Sequence, residues 1–191
     1  MRIIGGIFKG RRFNPPADNW PTRPTTDFAK EGLFKILNNH LDFQELKVLD
    51  LFGGTGSHSY EFISRGATDV TYVDKHGPAV EFVKKTAGQL GMESRIRIVR
   101  GDVFRFMSYC AETYDYIFAG PPYGLPTLDT IPDQVFEHNL LRKDGWFVLE
   151  HNPSHRFETH PHFFQQRNYG KTIFSFFAHQ EAIRTFLEEE E

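Results

Sequence analysis

The chain reads as an α/β protein built on a doubly wound, mostly parallel sheet that closes with an antiparallel hairpin. Three observations predict this. From Lys47 to His151, short apolar runs alternate with helical stretches, and parallel neighbours need such crossovers. After His151 the alternation stops, and "HFFQQRNYG" and "KTIFSFFAH" follow as two strands joined by a tight Asn-Tyr-Gly turn. Ahead of Lys47 stands a small basic extension of different composition.

In order, residues 1–13 alternate loosely, with Gly5, Gly6 and Gly10 as turn points, and read as short strands or a hairpin. "NPPADNWPTRP" is too rich in proline to be helical. Thr25, Thr26 and Asp27 offer N-caps for a helix to about Asn39, with Phe28, Leu33, Phe34 and Leu37 on its apolar side. The strands are then "KVLDLF", "DVTYVD", "RIRIVR", "YDYIFAG" and "GWFVLEH". Between them lie helices over about Ser57–Arg65, Pro78–Leu90, "DVFRFMSYC" and about Asp133–Leu141. The Glu188–Glu191 run reads as a frayed helix end or an added tail. Residues 1–40 (hairpin, connector and helix) and 41–191 form the two expected units.

Composition bounds the function. The 191 residues suffice for one domain with a real core, at 39% apolar and 25% charged. No apolar run approaches the roughly 20 residues that span a bilayer, and the N-terminus offers no signal peptide. The single Cys110 fits a reducing cytoplasm, and a monomer is expected. The net charge of −3 hides an asymmetry: residues 1–35 carry seven basic side chains against three acidic ones. Arg2, Lys9, Arg11 and Arg12 in that arm suggest a local polyanion contact, the alternative being a solvated hairpin. Phe8 and Phe13 are candidates to stack on unpaired bases.

"VLDLFGGTG" is a strand entering a Gly-rich turn before a helix. A dinucleotide fingerprint would continue Gly-x-Gly-x-x-Gly, but Ser59 stands at the third position. Asp50 inside the strand would repel pyrophosphate and suits a ligand carrying an ammonium. Asp74 ends the second strand and can accept from two ribose hydroxyls; Asp102 follows the third and can accept from an adenine amino group. Each alone could be a polar strand end or a helix cap. Three at successive strand ends point to S-adenosylmethionine, which carries an ammonium and no phosphate. Phe52, Gly53, Gly56, Lys75 and Val103 complete the expected cofactor set.

The fourth strand runs into "AGPPYG". Enzymes that methylate an exocyclic amino group carry Asp or Asn directly before Pro-Pro and an aromatic. The acid or amide and the carbonyl of the first proline accept from the amino group, whose lone pair the ring otherwise withdraws. The prolines stiffen the loop and the aromatic stacks on the base. Here Gly120 holds the acid's place, ahead of Pro121, Pro122 and Tyr123.

With "MRIIGG", "KGRR", "RPTTDFAKEGLF", "VLDLFGGTG", "SRGA" and the Pro-Pro-Tyr loop, the chain resembles the bacterial RsmD family over residues 1 to about 178. The resemblance implies a class I, Rossmann-like methyltransferase that methylates N2 of a guanine in small-subunit ribosomal RNA, free or in an assembling particle. It also implies RNA contacts by the basic arm and by Arg23, Thr25 and Thr26, the two threonines having a connector-and-cap role as the alternative. Attack is direct, without covalent intermediate or metal. The family's residue at position 120 is Asp. A sequence variant, a lineage with altered chemistry and a silent binding protein compete as explanations. One base change separates the two codons, which favours the first and predicts a gain from Gly120→Asp. The rivals are an adenine-N6 methyltransferase, a catalytically silent ribosome-assembly protein and a small-molecule methyltransferase. No metal site is expected from His151, His155, His160 and His162, which lack a Cys partner and a common helical face. "HNPSH" is expected at the rim of the target pocket.

Overall fold

A computed structural model describes residues 1–16, 20–21 and 24–191. Seven strands form one sheet in the order β3-β2-β1-β4-β5-β7-β6. The strands are β1 (Lys47–Leu51), β2 (Asp69–Asp74), β3 (Ile96–Arg100), β4 (Tyr114–Ala119), β5 (Leu141–His151), β6 (Phe163–Tyr169) and β7 (Thr172–Phe177). The first five run parallel, and β7 pairs antiparallel with both β5 and β6. The helices are α1 (Asp27–His40), α2 (Ser57–Ser64), α3 (Gly77–Leu90), α4 (Val103–Tyr109), α5 (Ile131–Glu137) and α6 (Gln180–Glu189).

Strand side chains alternate between two cores, as a period of two requires. Val48, Tyr116, Phe118, Trp146 and Val148 face one core with α1, α2 and α3. Leu49, Leu51, Ile117, Ala119, Phe147 and Leu149 face the other with α4 and α5. The same alternation puts Asp50, Gly120 and Glu150 on the first face, each at the C-terminal end of its strand. Asp50 is in register with Phe118, and Phe118 with Val148. Positions 120 and 150, each two residues further on, are therefore neighbours across β4 and β5. Ligands in open α/β sheets bind at this edge.

Among its described residues the N-terminal segment has little regular strand, only the antiparallel bridge Arg2–Arg12, yet it is firmly held. The buried Glu61 carboxylate on α2 accepts from the Ile4 and Gly5 amides at 2.8 and 3.0 Å. It also pairs with the buried Lys30 ammonium at 3.3 Å and with Arg65 at 3.0 Å. Ser64 accepts from the Phe8 amide, and Ile3 enters the first core. Phe13 lies 5.4 Å from the Tyr60 ring, so this aromatic packs on the body rather than standing free for a base. Phe8 is likewise half-buried against the core.

Several elements depart from the sequence reading. Thr26 caps α1 by accepting from the Ala29 amide, but Phe28 points outward at 69% exposure against Tyr169. Ala29 and Lys30 take the inward positions, because Lys30 has a buried carboxylate to meet. The fifth helix stops at Glu137: Asn139 turns the chain at φ 52 and Leu141 already belongs to β5. The hairpin turn is Gly170-Lys171, since Tyr169 pairs with Thr172 and Gly170 takes φ +66, a conformation glycine tolerates best. The C-terminal stretch forms α6, with Ala182, Ile183 and Phe186 on the first core. Among the described residues no helix is long and apolar enough to cross a membrane.

Candidate active site

Two adjoining pockets open at the C-terminal edge of the sheet, sharing Phe52. One cleft is lined by Phe52, Asp74, Lys75, His76, Asp102, Val103 and Pro122, among others. Its neighbour is lined by Thr25, Asp50, Gly53, His58, Phe118, Gly120 and Glu150, among others.

The turn after β1 creates the junction. Phe52 adopts φ 57, a conformation uncommon outside glycine, and so swings its ring between the two pockets. Gly56 caps α2 at φ 82, and a Cβ there would meet the Tyr60 ring at 2.5 Å. Only glycine fits both conditions. Gly53 lies beside Tyr72, whose hydroxyl donates to the Gly54 carbonyl at 2.6 Å and braces the turn.

Asp50 is buried. Its Oδ2 accepts from the Ser59 hydroxyl at 2.6 Å, while Oδ1 has no partner among the described residues. The departure at the third glycine position thus has a use: Ser59 steadies Asp50. Burial, with the Asp74 charge adding to it against the Ser59 bond, raises the Asp50 pKa to about 7. Asp74 accepts from the Gly54 amide and from the His76 amide, both at 2.8 Å. A carboxylate has about four acceptor positions, so two remain for a diol. Asp102 caps α4 through the Arg105 amide at 2.9 Å and also lines the cleft, so its cap and cleft roles coexist. Lys75 is exposed at the cleft wall, and Val103 is buried behind it.

The orphaned Asp50 Oδ1 fits an ammonium, His76 Nε2, without a hydrogen-bond partner among the described residues, offers a further polar contact, and the apolar Phe52, Val103 and Phe104 suit a flat ring. S-adenosylmethionine matches this set. Sequence reasoning missed His76, Phe104, Leu125 and Pro21 because none carries a charge in an apolar strand.

The second pocket holds the larger surprise. Glu150 is 5% exposed, accepts from Thr25 Oγ1 at 2.6 Å and accepts from the Tyr123 hydroxyl at 2.9 Å. Burial raises its pKa while those two donors oppose the shift. The signal was present in "GWFVLEH": an acid at the end of an apolar strand is the same sign that singled out Asp74. The Phe118 ring stacks on His58 at 3.7 Å, and burial with the Lys30 charge holds that imidazole neutral, well below its usual pKa.

Pro121 is buried and Pro122 lines the cofactor-side cleft, so the Pro-Pro loop forms a wall of the cleft. His155 joins Asp129 at 2.7 Å and the Tyr123 carbonyl at 3.0 Å, so "HNPSH" braces the Pro-Pro-Tyr loop. Thr26 serves as a cap, and Arg2 pairs with Asp27 at 3.1 Å. Lys9, Arg11 and Arg12 are exposed, Arg12 at a groove against α3 that includes Phe82 and Lys85. Arg23 lies outside the described residues. Among these, no group of three or more His, Cys, Asp or Glu could hold a metal ion.

The family model described as conserved hypothetical protein 95 matches residues 1–178. "Putative rRNA methyltransferase YlbH" of Bacillus subtilis is 33% identical, over 80% of this chain and 83% of its own length. "Ribosomal RNA small subunit methyltransferase D" of Buchnera aphidicola is 27% identical, over 78% of this chain and 75% of its own length. The chain belongs to this family, RsmD. Among solved structures, "Putative methyltransferase yhhF" of Escherichia coli superposes with a TM-score of 0.79 at 22% identity, covering 93% of this chain and 96% of that one. The RsmD chain therefore has the class I methyltransferase sheet, with its antiparallel end strands.

Proposed function

We propose that the protein transfers a methyl group from S-adenosylmethionine to the exocyclic N2 of a guanine in small-subunit ribosomal RNA. One observation carries the reading: the acid-lined cleft and the Pro-Pro-Tyr loop meet at Phe52 and Pro122, so a cofactor and a flipped base would meet there. The named relatives methylate ribosomal RNA by their titles, and Pro24 and Thr25 of the "RPTTD" segment line the second pocket.

Asp50 would hold the cofactor's ammonium, Asp74 its ribose and Asp102 its adenine edge, with Phe52, Gly53, Gly56, Lys75 and Val103 around them. When bound, S-adenosylmethionine supplies an electrophilic methyl on a sulfonium. Pro121 presents a backbone carbonyl to the target amino group, and Tyr123 offers a ring to the base. Gly120 presents no side-chain acceptor. Residues 1–40 form the RNA side, where Arg2, Lys9, Arg11, Arg12 and Arg23 would meet phosphates and Thr25 and Thr26 would lie beside the target loop. A cytoplasmic monomer is part of the same proposal.

Labelled S-adenosylmethionine incubated with unmodified small-subunit RNA or particles tests the reading. Label is expected in the RNA. Cofactor binding by calorimetry with no label transferred to either substrate would refute it and favour the silent assembly protein.

A further inference from the structure

We propose that Glu150 supplies the carboxylate that accepts a hydrogen bond from the target amino group, in place of the acid missing at Gly120. The inference rests on the methyl-transfer reading above and concerns how this chain performs that reaction.

Three observations carry it. The register makes positions 120 and 150 cross-strand neighbours on one face of β4 and β5. A Cβ built at Gly120 would lie 3.6 Å from Glu150 Oε2, so a side-chain acid at 120 and the existing one at 150 address the same space. Glu150 also lines the pocket that contains Gly120, Asp50 and Thr25.

Its chemistry suits the task. Thr25 and Tyr123 each donate once, to different oxygens, which fixes the carboxylate while leaving about two acceptor positions open. Low exposure strengthens any further hydrogen bond it accepts. The same geometry accounts for the glycine. A Cβ at 120 would press to 3.1 Å on the Phe118 ring edge, and that ring is backed by His58. A carboxylate at 120 would further face a like charge, and two such groups do not both ionise readily. Glycine at 120 and a buried Glu at 150 form one consistent arrangement.

In the step this serves, the amino nitrogen's lone pair forms the N–C bond while the C–S bonding pair stays on sulfur, which becomes a neutral thioether. The methylated nitrogen, now cationic, gives one proton to Glu150, which releases it to solvent. No oxidant, reductant or metal is needed for the balance.

The test compares the wild-type chain with Glu150→Gln, Gly120→Asp and the double variant. Each is assayed for labelled methyl transfer to unmodified small-subunit RNA and for calorimetric binding of S-adenosylmethionine. Gln keeps the shape of the side chain and removes its charge, one of the two hydroxyls turning to accept from the new amide nitrogen. The expected result is a roughly 10- to 150-fold slower transfer in Glu150→Gln, the value of one charged hydrogen bond, with cofactor affinity retained. Gly120→Asp alone gives no gain, and in the double variant it recovers at least about tenfold over Glu150→Gln. A merely structural Glu150 would not be rescued by an acid at a different position.

Undiminished transfer by Glu150→Gln, or a double variant no better than it, overturns the proposal. So does Gly120→Asp outpacing the wild type, which holds even where Glu150→Gln does not fold. A silent wild type beside an active Gly120→Asp removes Glu150 and leaves the methyltransferase reading standing. Silence in all four with cofactor bound removes both.

Discussion

Cofactor affinity should fall as the pH drops through the Asp50 titration. Asp50 is buried, one of its oxygens has no partner among the described residues, and its pKa in the ligand-free protein is about 7. An ammonium binds the carboxylate form only. At pH 7 about half of the Asp50 side chains are ionised, and at pH 5.5 about 3%, so apparent affinity should weaken roughly 15-fold between them. The ligand's own α-amino group titrates near 8, above this window, so it stays charged throughout. Calorimetric titration of S-adenosylmethionine at half-unit pH steps measures the slope. Asp50→Asn should bind more weakly and lose the dependence. The stability sign runs the other way: with its folded pKa above the unfolded 3.8, Asp50 favours the folded state less as pH rises from about 4 to 7. The ligand-free Asp50→Asn protein should therefore melt higher than wild type at pH 8. A wild-type affinity flat from pH 7 to 5.5, or a slope kept in Asp50→Asn, would refute the assignment of the ammonium to Asp50.

Further outcomes follow from other contacts. Thr25→Val removes a donor that favours the ionised Glu150, so the acid limb of methyl transfer should move to higher pH; Tyr123, Asp50 and the neutral His58 are the other groups at that pocket. An unshifted limb would argue against the Glu150 role. Glu61→Ala strips the buried Lys30 of its partner and frees the Ile4 and Gly5 amides. A loss of about 3–5 kcal/mol in chemical denaturation is expected. Hydrogen exchange should also quicken at those two amides. Replacing Arg11 or Arg12 by Ala should lower the log–log salt slope of RNA binding by about 0.7–0.9 each, if each meets one phosphate; unchanged slopes would place the RNA elsewhere.

The fold was legible because its signals are periodic. Five apolar runs separated by amphipathic stretches leave few parallel arrangements, and "VLDLFGGTG" marks the turn at which the two pockets adjoin. Phe28 shows the limit of that reading: the apolar pattern ranks it with Leu33, but a buried Glu61 draws Lys30 inward, and the phase of α1 follows the ion pair. The α5 boundary failed for a similar reason, since Asn139 in a left-handed turn is invisible in composition. At the site, Asp50, Asp74 and Asp102 were legible as charges interrupting apolar runs. Glu150 carried the same sign, but its importance needs the sheet order, which places β5 beside β4 and so opposite Gly120. Thr25 was read as an RNA-side residue. That it reaches across 125 positions of sequence to Glu150 appears only once α1 is packed over the sheet edge.

The central claim is tested most directly by digesting RNA that the wild-type chain has methylated and identifying the labelled nucleoside by mass spectrometry. N2-methylguanosine from small-subunit RNA is the expected product. N6-methyladenosine as the labelled product would contradict it and assign the Pro-Pro-Tyr loop to adenine.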